Sequence, residues 1–354
     1  MEEATRALHD LWRGFAEAHC RGYSPLYEQV ALAVSADKDL LELVRQAPPS
    51  AHMPPALLAA VHYLLLAGLD HPLADVYAGR ASSDPGPLFR DVCLSHREEV
   101  AELLATRHIQ TNDCGRCSSI GVALTYVSRR LGPPLALVDV GTSAGLNLLC
   151  DRYRLDYGSH GATGPEHSPV KVECSVLGGQ PPVAAQLPPL AAKVGIDRSP
   201  IDLTDPADAR WLLACVWPDT GRLERTAAAI EMGRQDPPTI VRGRASDVLL
   251  DTLDALPDTL AAMVTTTWVF GYFTLEERPQ FVDILAEAAR RRPVIWVSAE
   301  AAGTVGAFAD VPLPRHEEAV SDVLGLMDFD AGEPTPELLG FVQPHGRWID
   351  WRAG

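Results

Sequence analysis

The stretch Leu135-Ala136-Leu137-Val138-Asp139-Val140-Gly141-Thr142-Ser143-Ala144-Gly145-Leu146-Asn147 constrains this chain more than any other. An apolar run carrying one acid passes into a glycine-rich turn and then into a helix-like sequence. Residues 135–140 are apolar on both strand faces except at Asp139, as expected of a parallel strand covered by helices on both sides. Gly141 and Gly145 allow positive φ or close approach of backbone to a ligand. A helix starting after them would aim free N–H groups at the same place.

The flanking sequence fits an α/β protein. Residues 1–108 read as helical throughout. Ser24-Pro25 is an N-cap followed by proline at the first helical position, Pro54-Pro55 opens a helix that Gly68 stops, and Asp91 to Arg107 forms a third helical pattern. From 135 onward strands and helices alternate. Strands are expected at 135–140, 193–197, 239–243, 260–267 and 293–298, and helices at 144–153, 206–216, 221–233, 246–255 and 276–292. The segments 338–343 and 347–351 flank the turn Pro344-His345-Gly346 and predict a closing antiparallel hairpin. The expected fold is therefore a doubly wound, Rossmann-like sheet, mostly parallel, with a C-terminal hairpin and an N-terminal all-α lid. The expected division is 1–108 as the lid and 109–354 as the ligand-binding domain. Residues 156–192, rich in Pro, Gly and His, interrupt the alternation as an insertion that either shapes a substrate pocket or forms a surface loop with a short hairpin.

Composition narrows the partners. The net charge of −17 repels nucleic acid and anionic membranes, and no Lys/Arg cluster suggests a basic groove. The start of the chain lacks a signal-peptide apolar core, the longest apolar stretch is too short to span a bilayer, and the seven cysteines are scattered in apolar surroundings. These features predict a cytoplasmic protein acting on a small molecule, with no nucleic-acid or membrane partner. The 11 histidines show no metal-ligand spacing, and no metal is expected. Cys114-Gly115-Arg116-Cys117 has the spacing of a redox pair but lies between predicted helices, which favours a structural reading.

Asp139-Val140-Gly141-Thr142-Ser143-Ala144-Gly145 resembles the first motif of class I S-adenosylmethionine-dependent methyltransferases, with Ser143 in place of the middle glycine. The resemblance implies S-adenosylmethionine as cofactor, Asp139 near its methionine amine, and Gly141, Thr142, Ser143, Ala144 and Gly145 around its amino-acid half. Val194-Gly195-Ile196-Asp197 looks like that family's second strand, whose acid accepts both ribose hydroxyls. Asp197 follows Asp139 by 58 residues, against about 20 in the usual dinucleotide arrangement. Asp202 is an alternative ribose ligand and Glu173 a weaker one. Ser246 and Asp247 would face the adenine, and Thr266 and Thr267 end the fourth strand on the substrate side.

A second resemblance runs through Gln110-Thr111-Asn112, Arg116, Ser143-Ala144-Gly145-Leu146-Asn147-Leu148, Asp151-Arg152-Tyr153, Asp197, Pro200, Asp202 and Val216-Trp217-Pro218-Asp219. These are similar to a bacterial family known only as a domain of unknown function. The paired Cys114 and Cys117 depart from its pattern. Thr111, Asn112 and Arg116 are expected from the lid, with Arg116 clamping a carboxylate bidentately. Asn147, Tyr153, Trp268 and Tyr272 are the candidate catalytic residues; Phe270 is a further aromatic that could line the pocket, because a sulfonium attracts aromatic faces. His160 and His167 in the insertion are the histidines to test as a base. The leading expectation is methyl transfer to a small molecule. The alternatives are cyclisation or lysis of the cofactor with release of methylthioadenosine, and a binding protein that kept the fold without the chemistry; a dinucleotide oxidoreductase is more distant.

Overall fold

The structure, a computed structural model, describes residues 2–314, 321–329 and 334–354. It divides into two compact units. One comprises Met1–Thr111 with Thr204–Ala227, the other Asn112–Leu203 with Ala228–Gly354.

The first unit is helical: α1 Glu2–Phe15, α2 Pro25–Ala36, α3 Lys38–Gln46, α4 Pro54–Leu66, α5 Leu73–Tyr77, α6 Pro85–Ser95 and α7 Arg97–Thr106. The Ser24 side chain accepts from Tyr27 N and Pro25 opens α2, as the sequence predicts. The pattern from Asp91 to Arg107 is not one helix: His96, at φ −118°, breaks it into α6 and α7. The excursion Thr204–Ala227 returns the chain to this unit through α9, Pro206–Ala214. Trp217 anchors it, its ring 5.4–5.7 Å from those of Phe15, Tyr23 and Tyr27. Asp219 accepts from Ser24 Oγ at 2.6 Å and Leu26 N at 2.9 Å, satisfying donors at the start of α2.

The second unit carries α8 Cys117–Leu131, α10 Leu223–Gln235 (shared at its start with the first unit), α11 Ala245–Asp254 and α12 Glu277–Ala289. Its strands are β1 Leu135–Val140, β2 Arg154–Asp156, β3 Ala162–Thr163, β4 Lys171–Glu173, β5 Ser175–Gly178, β6 Leu190–Asp197, β7 Ile240–Arg242, β8 Ala261–Thr267, β9 Val294–Ala301, β10 Asp322–Asp328, β11 Thr335–Val342 and β12 Trp348–Trp351. Among the described residues nine strands form one sheet in the order β5-β12-β11-β10-β9-β8-β1-β6-β7. From β9 to β7 the neighbours are parallel. β10, β11 and β12 then form an antiparallel meander. The expected terminal hairpin is β11–β12; β10, which joins it to the parallel strands, has no counterpart in the sequence reading.

Every residue of β1 is buried, and the strand lies inside the sheet between β8 and β6. Ala136, Val138 and Val140 share a core with Leu249 and Leu253 of α11 and with Phe281 and Leu285 of α12. Asp139, of the opposite strand parity, faces the other side, where α8 packs. Within the insertion, β3 pairs antiparallel with β2 and β4 joins them in the separate sheet β3-β2-β4, and β5 then lies parallel to β12 at the far edge of the large sheet. Among the described residues no helix is long and apolar enough to cross a membrane.

The expected helix 144–153 is instead a 3-10 segment, Leu146–Arg152. Gly145 precedes it at φ +76°. A side chain at Gly145 would bring Cβ to 2.7 Å from Pro238 Cβ and 2.9 Å from its Cγ. Gly145→Ala therefore combines left-handed strain with overpacking, and is expected to cost roughly 2–4 kcal/mol in urea unfolding. A loss within error of zero would show that this turn is not held as described.

Candidate functional site

The chain passes from β1 outward to β6 and β7, then returns to the other side of β1 with β8, so the strand order reverses at β1. In open α/β sheets such a point leaves a crevice beyond the carboxyl ends of the strands. A cleft of about 160 Å³ lies there, lined by Gly141 at the end of β1, Asp197 and Arg198 at the end of β6, Ser246 after β7, and Tyr272 and Phe273 after β8. This is below the usual 300–1,000 Å³ of ligand pockets and sufficient for a nucleobase or a ribose. Tyr272 is 79% exposed at its margin. A larger cleft, about 730 Å³, lies on the helical unit between α5 and Pro218–Glu224. The carboxylate of Asp219 in its lining is already committed to the start of α2.

Asp197 shapes the smaller cleft. Its Oδ2 accepts from Ser143 N and its Oδ1 from Ser199 N, both at 2.8 Å. The carboxylate thus ties the loop after β1 to its own turn, while each oxygen retains a second lone pair. Ser143 stands at φ +55° in consequence, a strained value for a residue with a side chain. The rest of the loop is closed by protein. Val269 lies against Gly141, Thr142 against Gly195 and Pro238 against Gly145. Asn112 Oδ1 accepts from Leu146 N at 2.9 Å, satisfying a donor at the start of the 3-10 segment.

On the far side of the loop after β8 lies a second group of residues. Asp139 is 1% exposed and its Oδ1 accepts from Thr265 Oγ1 at 2.7 Å. Its Oδ2 and Thr142 Oγ1 are buried with no hydrogen bond of good geometry, although the Thr142 hydroxyl is close enough to favour the ionised form. Burial outweighs that help and pushes the Asp139 carboxyl up to about 6. Arg116 donates from Nη1 to Thr267 O at 2.8 Å and from Nε to Pro344 O at 3.4 Å. Glu300 Oε1 accepts from Val269 N and Phe270 N, at 3.1 and 2.9 Å. Trp268 Nε1 donates to Asp322 Oδ2. Sequence reasoning missed both Glu300 and Asp322. Glu300 ends a strand in the same way as Asp139, and that was the available signal; Asp322 begins a strand that the sequence reading did not contain.

The structure thus brings Gly141, Asp197, Ser246 and Tyr272 to one cleft, and Arg116, Asp139, Thr267 and Trp268 to the adjoining acidic group. Others sit apart from both. Tyr153 is fully buried and its hydroxyl donates to Leu146 O at 2.7 Å. Asn147 is buried with its side-chain oxygen 3.6 Å from Cys117 Sγ. Thr266 Oγ1 accepts from Trp296 Nε1 at 3.0 Å. Ala144 is buried in the closed loop. Asp247 is exposed and accepts from Ser246 Oγ, Asp202 and Glu173 are exposed, and Thr111 is half-buried at the end of the first stretch of the helical unit. Phe270 is buried against Phe281 and Trp296. His160 and His167 lie outside the cleft lining. Cys114 and Cys117 are buried, and burial holds the Cys117 thiol far above its usual range, which suits packing and not redox chemistry.

A mixed α/β protein with a small cleft at the reversal point of its parallel strands is the class these features define. The chain belongs to the bacterial family described as "Uncharacterized protein conserved in bacteria (DUF2332)", which matches residues 9–351. No curated protein matches it. Among solved structures, one that it is similar to is titled as the bifunctional kinase-methyltransferase WbdD, at 16% identity and a TM-score of 0.24. That match covers 56% of this chain and 30% of the other, less than two thirds of its length.

The sign of the Asp139 shift gives a stability test. A carboxyl held above its ordinary 3.8 favours the fold when protonated; that contribution is complete below 3.8 and lost as pH rises through about 6. Asp139→Asn removes the buried charge, and its amide can donate to Thr142 Oγ1. The variant is expected to exceed the wild type at pH 8 by on the order of 2 kcal/mol, the advantage shrinking towards pH 4. Denaturant unfolding across that range checks it; a pH-independent difference refutes the assignment.

Proposed function

We propose that the protein is an S-adenosylmethionine-dependent transferase of Rossmann-like, doubly wound fold that methylates a small molecule. The observation that carries this reading is the cleft at the strand-order reversal, lined by the glycine that ends β1, the acid that ends β6 and the serine that follows β7. Those positions suit a nucleoside. A carboxylate at the end of the second strand can accept two adjacent ribose hydroxyls, and Asp197 keeps lone pairs for them. Ser246, at the start of α11, would meet the base. Arg116 and Asp139 would receive the carboxylate and amine of the amino-acid half: Nη2 of Arg116 makes no hydrogen bond among the described residues, and Asp139 has a buried oxygen without a partner. When bound, the cofactor supplies an electrophilic methyl group; the chain's contribution is to orient the two substrates and exclude water.

A second reading has its own support. Val269 and Pro238 occupy the space against Gly141 and Gly145 through which the amino-acid half would approach that loop. Such packing favours a protein that binds a nucleoside in the cleft and transfers nothing.

Calorimetry with S-adenosylmethionine, S-adenosylhomocysteine and NAD separates these readings from an oxidoreductase. The sulfonium compound and its demethylated product are expected to bind, and NAD is not. Ser246→Phe, which fills the cleft from a half-buried helix start, is expected to abolish binding at an unchanged melting temperature. Binding of neither sulfur nucleoside ends the proposal. Product analysis then discriminates further: S-adenosylhomocysteine means transfer, methylthioadenosine means cyclisation or lysis, and an unchanged ligand means binding alone.

A further inference from the structure

The acidic group beyond the cleft is out of balance. Asp139, Glu300 and Asp322 are each at most 3% exposed, and Arg116 is the cation whose charge bears on all three. Two carboxyl oxygens in it, Asp139 Oδ2 and Asp322 Oδ1, are buried without a hydrogen-bond partner. A buried carboxylate with one oxygen left unpartnered is disfavoured in its charged form unless a proton or a cation joins it. Asp322 opens β10 and lies in register beside the end of β9, with Val323 opposite Glu300. It is covered by Trp268, whose indole N–H it accepts.

Trp268 itself is held in an unfavourable backbone state. Its φ is +58°, in the left-handed region that bulky residues rarely enter. The conformation is kept by the indole bond to Asp322, by Trp268 N donating to Ala299 O at 3.2 Å, and by Glu300 gripping the next two amides. The residue is nevertheless 38% exposed. A strained, half-exposed aromatic resting on a buried acid is a cover that a ligand can displace at low cost, because release of strain offsets the lost hydrogen bond.

We infer that Asp322, with Trp268 above it, is the receiving site for the ammonium group of an amine substrate, and that Asp322 takes the proton this amine must lose. The transfer step rests on the transferase reading above; the ammonium site does not. An ammonium N–H gives its proton to the Asp322 carboxylate, leaving a neutral amine and a carboxylic acid. The nitrogen lone pair then forms a bond to the methyl carbon as the carbon–sulfur bond breaks and its electron pair remains on sulfur. The proton leaves Asp322 for water when Trp268 swings away. Burial pushes the Asp322 carboxyl up to about 7, the Trp268 N–H and Arg116 oppose that rise, and Glu300 adds to it. An acid so poised accepts and returns a proton near neutral pH.

The test uses the full chain labelled with ¹⁵N, with the Trp268 indole resonance assigned by its absence in Trp268→Phe. Butylammonium is the probe and butanol its uncharged control. Butylammonium is expected to shift the Trp268 resonance saturably and butanol to leave it in place. Asp322→Asn is expected to weaken the response about tenfold, the value of one charge-assisted hydrogen bond. Glu300→Gln, a second variant that lowers the local charge, weakens it as well. In the ligand-free protein the same resonance titrates with a midpoint of about 7, and Asp322→Asn abolishes that titration. No response to butylammonium, an equal response to butanol, or an undiminished response in the variants overturns the inference. Calorimetry with S-adenosylmethionine is read separately: its failure with the amine response intact removes the transferase reading and leaves the ammonium site.

Discussion

The two hydrogen bonds from the backbone of Ser143 and Ser199 to the Asp197 carboxylate organise everything around the cleft. They fasten the loop that leaves β1 to the end of β6, at the place where the strand order turns back. With the loop fixed, Gly141 forms one wall and Arg198 another, and Val269 closes over the glycine from the β8 side. A carboxylate used in this way is a positioning group even before any ligand arrives. Its remaining lone pairs are pre-oriented because the loop cannot relax without losing two charge-assisted bonds.

The residues after β8 connect two environments. Val269, Tyr272 and Phe273 border the cleft, whereas Trp268 faces Asp322 and Thr267 offers its carbonyl to Arg116. Glu300 grips the amides of Val269 and Phe270 and so fixes this segment from β9. Strain at Ser143 and Trp268 marks the loops at the ends of two adjacent parallel strands. Two strained residues and two unpartnered buried carboxyl oxygens in one region depart from the rule that each local choice agrees with the fold, and such departures concentrate where a protein binds or reacts.

The antiparallel addition to the sheet has a consequence for the chemistry. β10 joins β9 directly and its first residue is Asp322. The acid is therefore delivered to the group around Arg116 by a strand running opposite to the ones that deliver Asp139 and Glu300. An element that extends the sheet thereby also supplies a side chain at its carboxyl edge, with no further loop.

The local pattern of residues 135–147 determined a buried parallel strand and a glycine turn, because an apolar run with a single acid and two glycines has few other solutions. Strand periodicity likewise placed β6, β7, β8 and β9, and the turn at Pro344-His345-Gly346 placed the last hairpin. The sequence could not show β10, which follows a polar stretch and carries only a short apolar pattern, nor that Thr204–Ala227 joins the helical unit, since that depends on Trp217 meeting Phe15, Tyr23 and Tyr27 from a distant part of the chain. It suggested Arg116 and Asp139 but not their neighbours Glu300 and Asp322, and it assigned to Tyr153 and Asn147 roles whose side chains the fold buries. Motifs record what one segment can do alone. Which charges share a buried volume is settled only when strands far apart in the chain become neighbours, because electrostatic coupling depends on distance and burial and not on order in sequence.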